Sequence, residues 1–215
     1  MDDYNKSSFD KDLENLISKD RANLMSIYDT NFQTQEQTFS LIVDSIEHAE
    51  FNNFNDNKLI WNIAGFINII SYDLKIIARD LTLAQTEWQK RHYARHACLI
   101  IYESIDSLFQ LLGKDFRDLT QNRLNILELE EMLTEIREDL KLFKKNYSKK
   151  LYEIRNVVVA HRNNEVLKQV RIIKQISWND TIQMISQFDN ILNKLGAFCQ
   201  SLINKGLSDL TELKP

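Results

Sequence analysis

Hydrophobic residues recur along most of this chain at helical spacing, three and four residues apart. The clearest run is a set of small and apolar residues that alternate by four and three: Ala94, Cys98, Ile101, Ile105, Leu108 and Leu112. This period places the six side chains on one face of a helix that turns toward a core. The pattern predicts a helix from about Thr86 to Leu112 that ends at Gly113, since glycine commonly follows a helix.

The same periodicity predicts five further helices, at about residues 8–28, 32–46, 56–83, 121–162 and 180–204. A break is expected at residues 29–31, where Asp, Thr and Asn follow one another, and a loop in the Asn-rich residues 51–57. The long fifth helix is expected to kink near Asn146. The least regular part is residues 165–178, where residues 170–172 and 176–178 could be extended, and Ser177 or Asn179 is expected to cap the last helix.

Composition agrees with an all-α fold. The 215 residues include only 4 Gly and 1 Pro, too few for a protein built from hairpins and turns, and 43% of residues are hydrophobic. We therefore predict one compact domain, an up-and-down bundle of about six helices. Residues 1–84 would supply the N-terminal helices and residues 85–205 the functional core.

Charge and cysteine content limit the partners and the cellular compartment expected for this protein. With 27 basic and 31 acidic residues, the net charge of -4 gives no general attraction to nucleic acid, so any RNA site must be a local patch. Cys98 and Cys199 lie in apolar helical sequence, as expected for reduced thiols. The acidic N-terminus does not resemble a signal peptide, and the polar residues within 59–77 would be costly in a bilayer. A cytoplasmic protein without a membrane partner is expected.

One short motif stands out as candidate chemistry. Arg155 and Asn156 are followed, after four apolar or small residues, by His161. Burying such side chains is costly unless they are paired or used. Arginine can clamp a phosphate and histidine can move protons near neutral pH, so the motif carries the minimum set for metal-free cleavage of an RNA phosphodiester.

This Arg-Asn-x4-His motif, late in a long helix of an all-α chain, resembles the signature of the HEPN superfamily. The similarity extends to the final helix, which starts at a Trp after a variable loop (residues 176–180), and to the polar residues of an earlier helix between Arg91 and Glu103. It covers about residues 86–205 and is greatest to abortive-infection and toxin-like members.

The resemblance implies a helical homodimer that acts as a metal-independent endoribonuclease without a cofactor. By this resemblance His161 would transfer a proton at the ribose 2′-hydroxyl or the leaving oxygen, Arg155 would stabilise phosphate charge, and Asn156 would orient the histidine or the substrate. A cognate antitoxin or another defence partner is expected. The residues expected to contact RNA are Arg95, His96, Glu103, Lys149, Lys150 and Arg162.

One feature departs from the family pattern. The nucleotide-modified toxin subgroup has a Tyr two residues after the motif histidine, whereas this chain has Asn163, so silencing through that position is not expected.

Helix geometry raises a separate objection to the motif. On an ideal helix Arg155 and His161 would lie about 120° apart and would not share one face. The motif therefore needs a deviation of the backbone near the helix end, or a long Arg side chain that curls toward the histidine. Without these, Arg155 would be a surface ion-pair residue and His161 a helix-end histidine.

A metal-binding bundle enzyme is an alternative. His92, His96 and Glu103 fall within about 40° of each other on an ideal helix, and His48 could complete a three-histidine site. The sequence between the two histidines lacks the Glu of the metalloprotease helix. Such a face is more often solvated or part of a dimer contact, and no metal site is predicted.

A basic segment precedes the motif on the same helix; its lysines are Lys141, Lys144, Lys145, Lys149 and Lys150. Such a segment attracts a phosphate backbone without reading sequence, or it is merely a solvated face. The chain has no Walker loop and no GxGxxG, GxSxG or Cys-x-x-Cys motif. A non-catalytic interaction or RNA-binding module that keeps the motif only as structure is the first alternative to the ribonuclease, ahead of the metal-binding enzyme.

Overall fold

A computed structural model describes residues 8–120, 127–156 and 165–212. Within these residues the chain forms helices and no strands, which confirms the predicted all-α class. The described residues contain eight helices: α1 (Ser8–Lys19), α2 (Arg21–Phe51), α3 (Asn55–Leu83), α4 (Glu87–Leu111), α5 (Lys114–Asp118), α6 (Leu127–Ile154), α7 (Val166–Gln175) and α8 (Trp178–Glu212).

Four long helices surround the core. Helix α3 packs against α4 and α8, α4 also contacts α6 and α8, and α6 packs against α8. Helix α2 lies outside this group and covers α3, while α1 touches α2. The bundle therefore has α4 and α8 in contact across its centre, and the surface formed by α4 and α6 carries the Arg-Asn motif.

Helix α4 follows its sequence pattern closely. All six side chains of the predicted seam are buried, from Ala94 to Leu112. Thr86 begins the helix with a reciprocal cap, in which its hydroxyl accepts from the Gln89 amide at 3.2 Å and the Gln89 side chain accepts from the Thr86 amide at 3.0 Å. The helix ends just before Gly113, as predicted. A Cβ at Gly113 would lie 2.6 Å from the Gln110 carbonyl oxygen, so a larger residue does not fit this turn.

The predicted break at residues 29–31 is wrong. Helix α2 runs through this segment, and the chain instead interrupts its helix at Asp20. The Thr30 hydroxyl donates to the Ser26 carbonyl oxygen at 2.9 Å, so this polar side chain is satisfied inside the helix. A run of polar residues on an exposed face does not end a helix whose opposite face still packs on α3.

The loop between α2 and α3 is shorter than predicted. It consists of residues 52–54, and Asn53 adopts φ 58°, a left-handed conformation that asparagine tolerates better than most residues. The Phe54 amide donates to the Ala49 carbonyl oxygen at 2.8 Å, and this six-residue closure ends α2. So short a connection makes α2 and α3 an antiparallel pair.

Helix α3 is central, as its apolar sequence predicted. It is the one helix among the described residues that is long and apolar enough to cross a membrane, with 44% of its most apolar stretch buried inside the protein. Its contacts with α2, α4 and α8 are those of a core helix. Gly65 allows α2 to approach closely, because a Cβ there would lie 3.2 Å from Ile42 Cγ2.

Of the two stretches suggested to be extended before the last helix, the first is wrong, whereas the second is confirmed at Ile176, whose backbone is extended with φ -74° and ψ 115°. Residues 170–172 belong to α7, which buries Ile172 and Ile173 against the core. Ser177 caps α8, as predicted, since its hydroxyl oxygen accepts from the Asp180 amide at 3.2 Å. Helix α8 starts at Trp178, slightly earlier than predicted. The short helix α5 was not anticipated, and of the predicted 121–162 helix the described part is α6 and the turn that follows it.

Candidate functional site

Arg155 and Asn156 lie where α6 ends. The regular helix stops at Ile154, and the backbone widens into a π-type turn at the two motif residues. Leu151 and Ile154 are fully buried, so they hold the end of α6 against the bundle. Insertions of this kind are frequent at functional sites. The turn is a deviation of the backbone near the helix end, of the kind that the motif was expected to need.

Arg155 is held by two side chains of its own protomer. Its Nε donates to Glu103 Oε1 on α4 at 2.9 Å, and its Nη1 donates to Asn156 Oδ1 at 2.9 Å. The Arg155 side chain is 28% exposed and that of Glu103 is 54% exposed. The guanidinium group is therefore pre-positioned at the surface rather than enclosed in the core, and an incoming phosphate could compete with Glu103 for it.

Two tyrosines lie beside Arg155 on this surface, and neither was predicted from the sequence as part of the site. The Arg155 guanidinium lies 5.6 Å from the centre of the Tyr102 ring, and the Tyr152 ring lies 6.3 Å from that of Tyr102. Tyr152 is 58% exposed. Their positions offered a signal, because Tyr102 directly precedes Glu103 and Tyr152 precedes Arg155 by about one helical turn.

His96 and Arg95 form a separate group on α4. Seven residues separate His96 from Glu103, which is about 10 Å along a helix. The His96 ring is exposed, and the His92 ring lies 4.5 Å from it. Desolvation lowers the pKa of His96, and the nearby positive charge of His92 and Arg95 lowers it further. These effects favour the neutral form of the His96 imidazole.

Arg95 points along its own helix. Its Nε donates to the Arg91 carbonyl oxygen at 3.1 Å, and its guanidinium lies 5.8 Å from the centre of the exposed Trp88 ring. These contacts direct the group toward the N-terminal end of α4, whereas Glu103 lies in the opposite direction along the helix. Arg95 and His96 therefore do not join Arg155 within one chain.

The basic segment of α6 is largely paired with acidic residues. Lys144 Nζ lies 2.6 Å from Asp106 Oδ1 on α4, and Lys141 bonds to Glu138 on its own helix. Lys150 Nζ lies 3.9 Å from Asp180 Oδ2 on α8. Lys149 is exposed. The segment is therefore a mixed surface, on which Lys149 is exposed and Lys150 lies near a carboxylate.

His161 and Arg162, two of the residues predicted to act on RNA, lie outside the described residues. So does Asn163. The structure therefore places the Arg-Asn half of the motif together with Glu103, and the assignment of the histidine rests on sequence.

Metal-binding and thiol chemistry have little support in the part of the chain that the structure describes. There, no three His, Cys, Asp or Glu side chains cluster as a metal site would require. His48 lies near the end of α2 with its ring 6.3 Å from that of Phe54. Burial raises the pKa of Cys98 to about 12 and that of Cys199 to about 12, so both thiols stay protonated and unreactive.

The class of protein follows from comparison of the sequence with known families. Residues 102–207 match a HEPN family model, and this segment runs from the second half of α4 to α8 and contains Glu103 together with the whole Arg-Asn-x4-His motif. The chain therefore belongs to the HEPN superfamily, as its motif indicated. The matching model is the one described as AbiU2 (HEPN_AbiU2).

The match starts later than the predicted core at residue 85, so Arg95 and His96 lie outside it, while Lys149 and Lys150 lie within it. No curated protein and no solved structure matches the chain significantly.

Proposed function

We propose that this HEPN protein is a metal-independent endoribonuclease that acts as a cytoplasmic homodimer in an abortive-infection or toxin system. The observation that carries the proposal is the placement of Arg155. A permanent cation is held at the surface by Glu103 and Asn156, at the end of a helix with a widened turn. An arginine that served only the core would be enclosed, whereas this one is accessible to a phosphate.

The reaction consistent with these side chains is an internal transesterification. The ribose 2′-oxygen attacks the adjacent phosphorus while its proton passes to a base, and the bond to the 5′-oxygen breaks as that oxygen receives a proton. The products are a 2′,3′-cyclic phosphate and a 5′-hydroxyl end. His161 is the residue suited to both proton transfers. Arg155 stabilises the negative charge that grows on the non-bridging oxygens in the transition state.

Glu103 and Asn156 have supporting roles in this proposal. The carboxylate of Glu103 orients the guanidinium in the resting protein and is displaced, wholly or in part, when a phosphate arrives. Asn156 contacts the same guanidinium from within the turn, and this keeps the planar group fixed for bidentate contact. Lys149 would add attraction for the flanking backbone.

The homodimer follows from the number of catalytic groups. One chain supplies one motif Arg and one motif His, whereas two copies across a two-fold axis would provide a proton acceptor and a proton donor at the same phosphate. On α4, Leu99 and Ile100 are only half-buried within the protomer, so they offer apolar area for such an interface. In solution, light scattering should report a dimer at micromolar concentration, and Leu99→Asp should weaken it. A monomeric wild-type protein would contradict the shared site.

The activity itself is tested with purified protein and a mixed RNA substrate. His161→Ala should abolish cleavage, EDTA should leave it unchanged, and the products should carry 2′,3′-cyclic phosphate ends. Arg171→Ala is a matched control, because this arginine is exposed on α7 and is not part of the Arg-Asn-x4-His motif. Cleavage that survives His161→Ala, or that stops on chelation, would refute the proposal.

The rival function is a non-catalytic RNA-binding or interaction module. It is favoured by one observation: Arg155 already has an acidic partner in its own chain. In that case the motif would contribute to folding and binding alone. RNA that binds without being cleaved, equally well in wild type and His161→Ala, would support the module. In either case a cognate antitoxin or another defence partner is expected to control the protein.

A further inference from the structure

The tyrosine pair next to the motif is not explained by the packing of the bundle. Tyr152 is 58% exposed although it lies on α6 between the buried residues Leu151 and Ile154. Tyr102 is half-buried, packs against the core and forms the inner neighbour of Tyr152. The Tyr102 ring is thus fixed by its packing against the core, whereas the neighbouring Tyr152 ring is exposed to solvent.

The position of this pair relative to Arg155 is specific. Arg155 follows Tyr152 by three residues, so the two side chains leave α6 about one turn apart, and both approach the ring of Tyr102. A cation suited to a phosphate and an exposed aromatic ring suited to a base therefore lie side by side. A nucleotide presents the same two groups, a phosphate and a base, linked through one sugar.

We infer that Tyr152, supported by Tyr102, is a stacking subsite for one unpaired RNA base next to the phosphate held by Arg155. This inference rests on the proposed ribonuclease function and adds a preference for single-stranded substrate. In a duplex both faces of each base are already stacked on neighbours, so a duplex base must leave the helix before it can reach Tyr152. An unpaired base stacks on an aromatic side chain without that cost, and with little dependence on its identity.

Binding can be measured separately from cleavage. The probe is a short 2′-O-methyl oligonucleotide that contains 2-aminopurine, because blocking the 2′-oxygen prevents the attack on phosphorus, and stacking quenches the fluorescence of 2-aminopurine. The single strand should bind and be quenched, whereas the same strand in a duplex should bind at least about 5-fold more weakly. Tyr152→Leu should weaken binding of the single strand about 5- to 150-fold, the range for losing one base–aromatic stack.

Two variants are matched to this measurement. Tyr152→Phe keeps the ring and should bind within about 2-fold of wild type, since stacking uses the π face. Tyr28→Leu removes a tyrosine from α2 and should leave binding unchanged. Circular dichroism checks that Tyr152→Leu folds; Tyr152→Ser is the substitute if it does not.

The outcomes separate the two hypotheses. Quenching that depends on Tyr152, in a protein that never cleaves RNA, would keep the subsite and refute the ribonuclease. Cleavage with unchanged affinity in Tyr152→Leu would keep the ribonuclease and refute the subsite. Three other results would each overturn the stacking subsite. The first is equal affinity for single strand and duplex, and the second is no binding of either probe. The third is a loss of affinity in Tyr152→Phe as large as in Tyr152→Leu.

Discussion

Replacing Arg155 by alanine should separate catalysis from folding, and the structure sets the size of both effects. The substitution removes the ion pair with Glu103, the hydrogen bond to Asn156 and the contact with the Tyr102 ring. It leaves the buried residues Leu151 and Ile154 in place, so the end of α6 keeps its packing. The variant tests whether this arginine serves the fold or the reaction.

The expected cost in stability is small. Because the Glu103 side chain is 54% exposed, the ion pair is well solvated and contributes about 0.2–1 kcal/mol. The cation–π contact adds about 0.5–1 kcal/mol at an exposed site. Together these terms lower the free energy of unfolding by roughly 1–2 kcal/mol, and for a chain of this length Tm should fall by about 2–8 °C.

The expected cost in activity is much larger. Removing one donor that stabilises charge in the transition state typically lowers kcat about 10²- to 10³-fold. Arg155→Lys should fall between the two proteins, since lysine keeps the charge but loses the planar fork. The measurements are urea unfolding followed by circular dichroism, and cleavage of a fluorescent RNA, with Arg171→Ala as the control in both.

Two results would refute this reasoning. A loss of more than about 3 kcal/mol in Arg155→Ala would show that the arginine is mainly structural, which is the module alternative. Cleavage within a few-fold of wild type would show that another group carries the phosphate charge. A large loss of activity with a small loss of stability is the expected outcome.

Four further substitutions test other parts of the structure. Gly196→Ala should raise the free energy of unfolding by about 0.5–1 kcal/mol in urea titrations, because a Cβ at this position meets nothing within 4 Å. Gly65→Ala should raise it less or lower it, because the added Cβ would lie 3.2 Å from Ile42 on α2. Thr86→Ala removes the cap of α4 and should cost about 1 kcal/mol in the same titrations. Desolvation is the largest cause of the lowered pKa of His96, and His92 adds to it, so His92→Gln should raise the pKa of His96 in an NMR titration. An unchanged pKa would contradict the contribution assigned to His92.

The sequence by itself determined the helical class, most of α4, the central position of α3 and the family. These depend on local information. The four-three spacing of apolar residues in α4 specifies which face is buried, and the Ser177 hydroxyl caps α8 through a residue only three positions away. The motif residues stand close together in the sequence, so their resemblance to a HEPN signature was visible without a fold.

Only the tertiary structure decided where continuous helices run and what surrounds the motif. Helix α2 passes through residues 29–31, and residues 170–172 become helical in α7, because burial against neighbouring helices outweighs weak local preferences. Glu103 and Tyr102 contact Arg155 although they lie 52 or more residues before it in the sequence. No periodicity within a single helix specifies such a pair, since it depends on how α4 and α6 pack, and that packing is what exposes Tyr152 beside the motif.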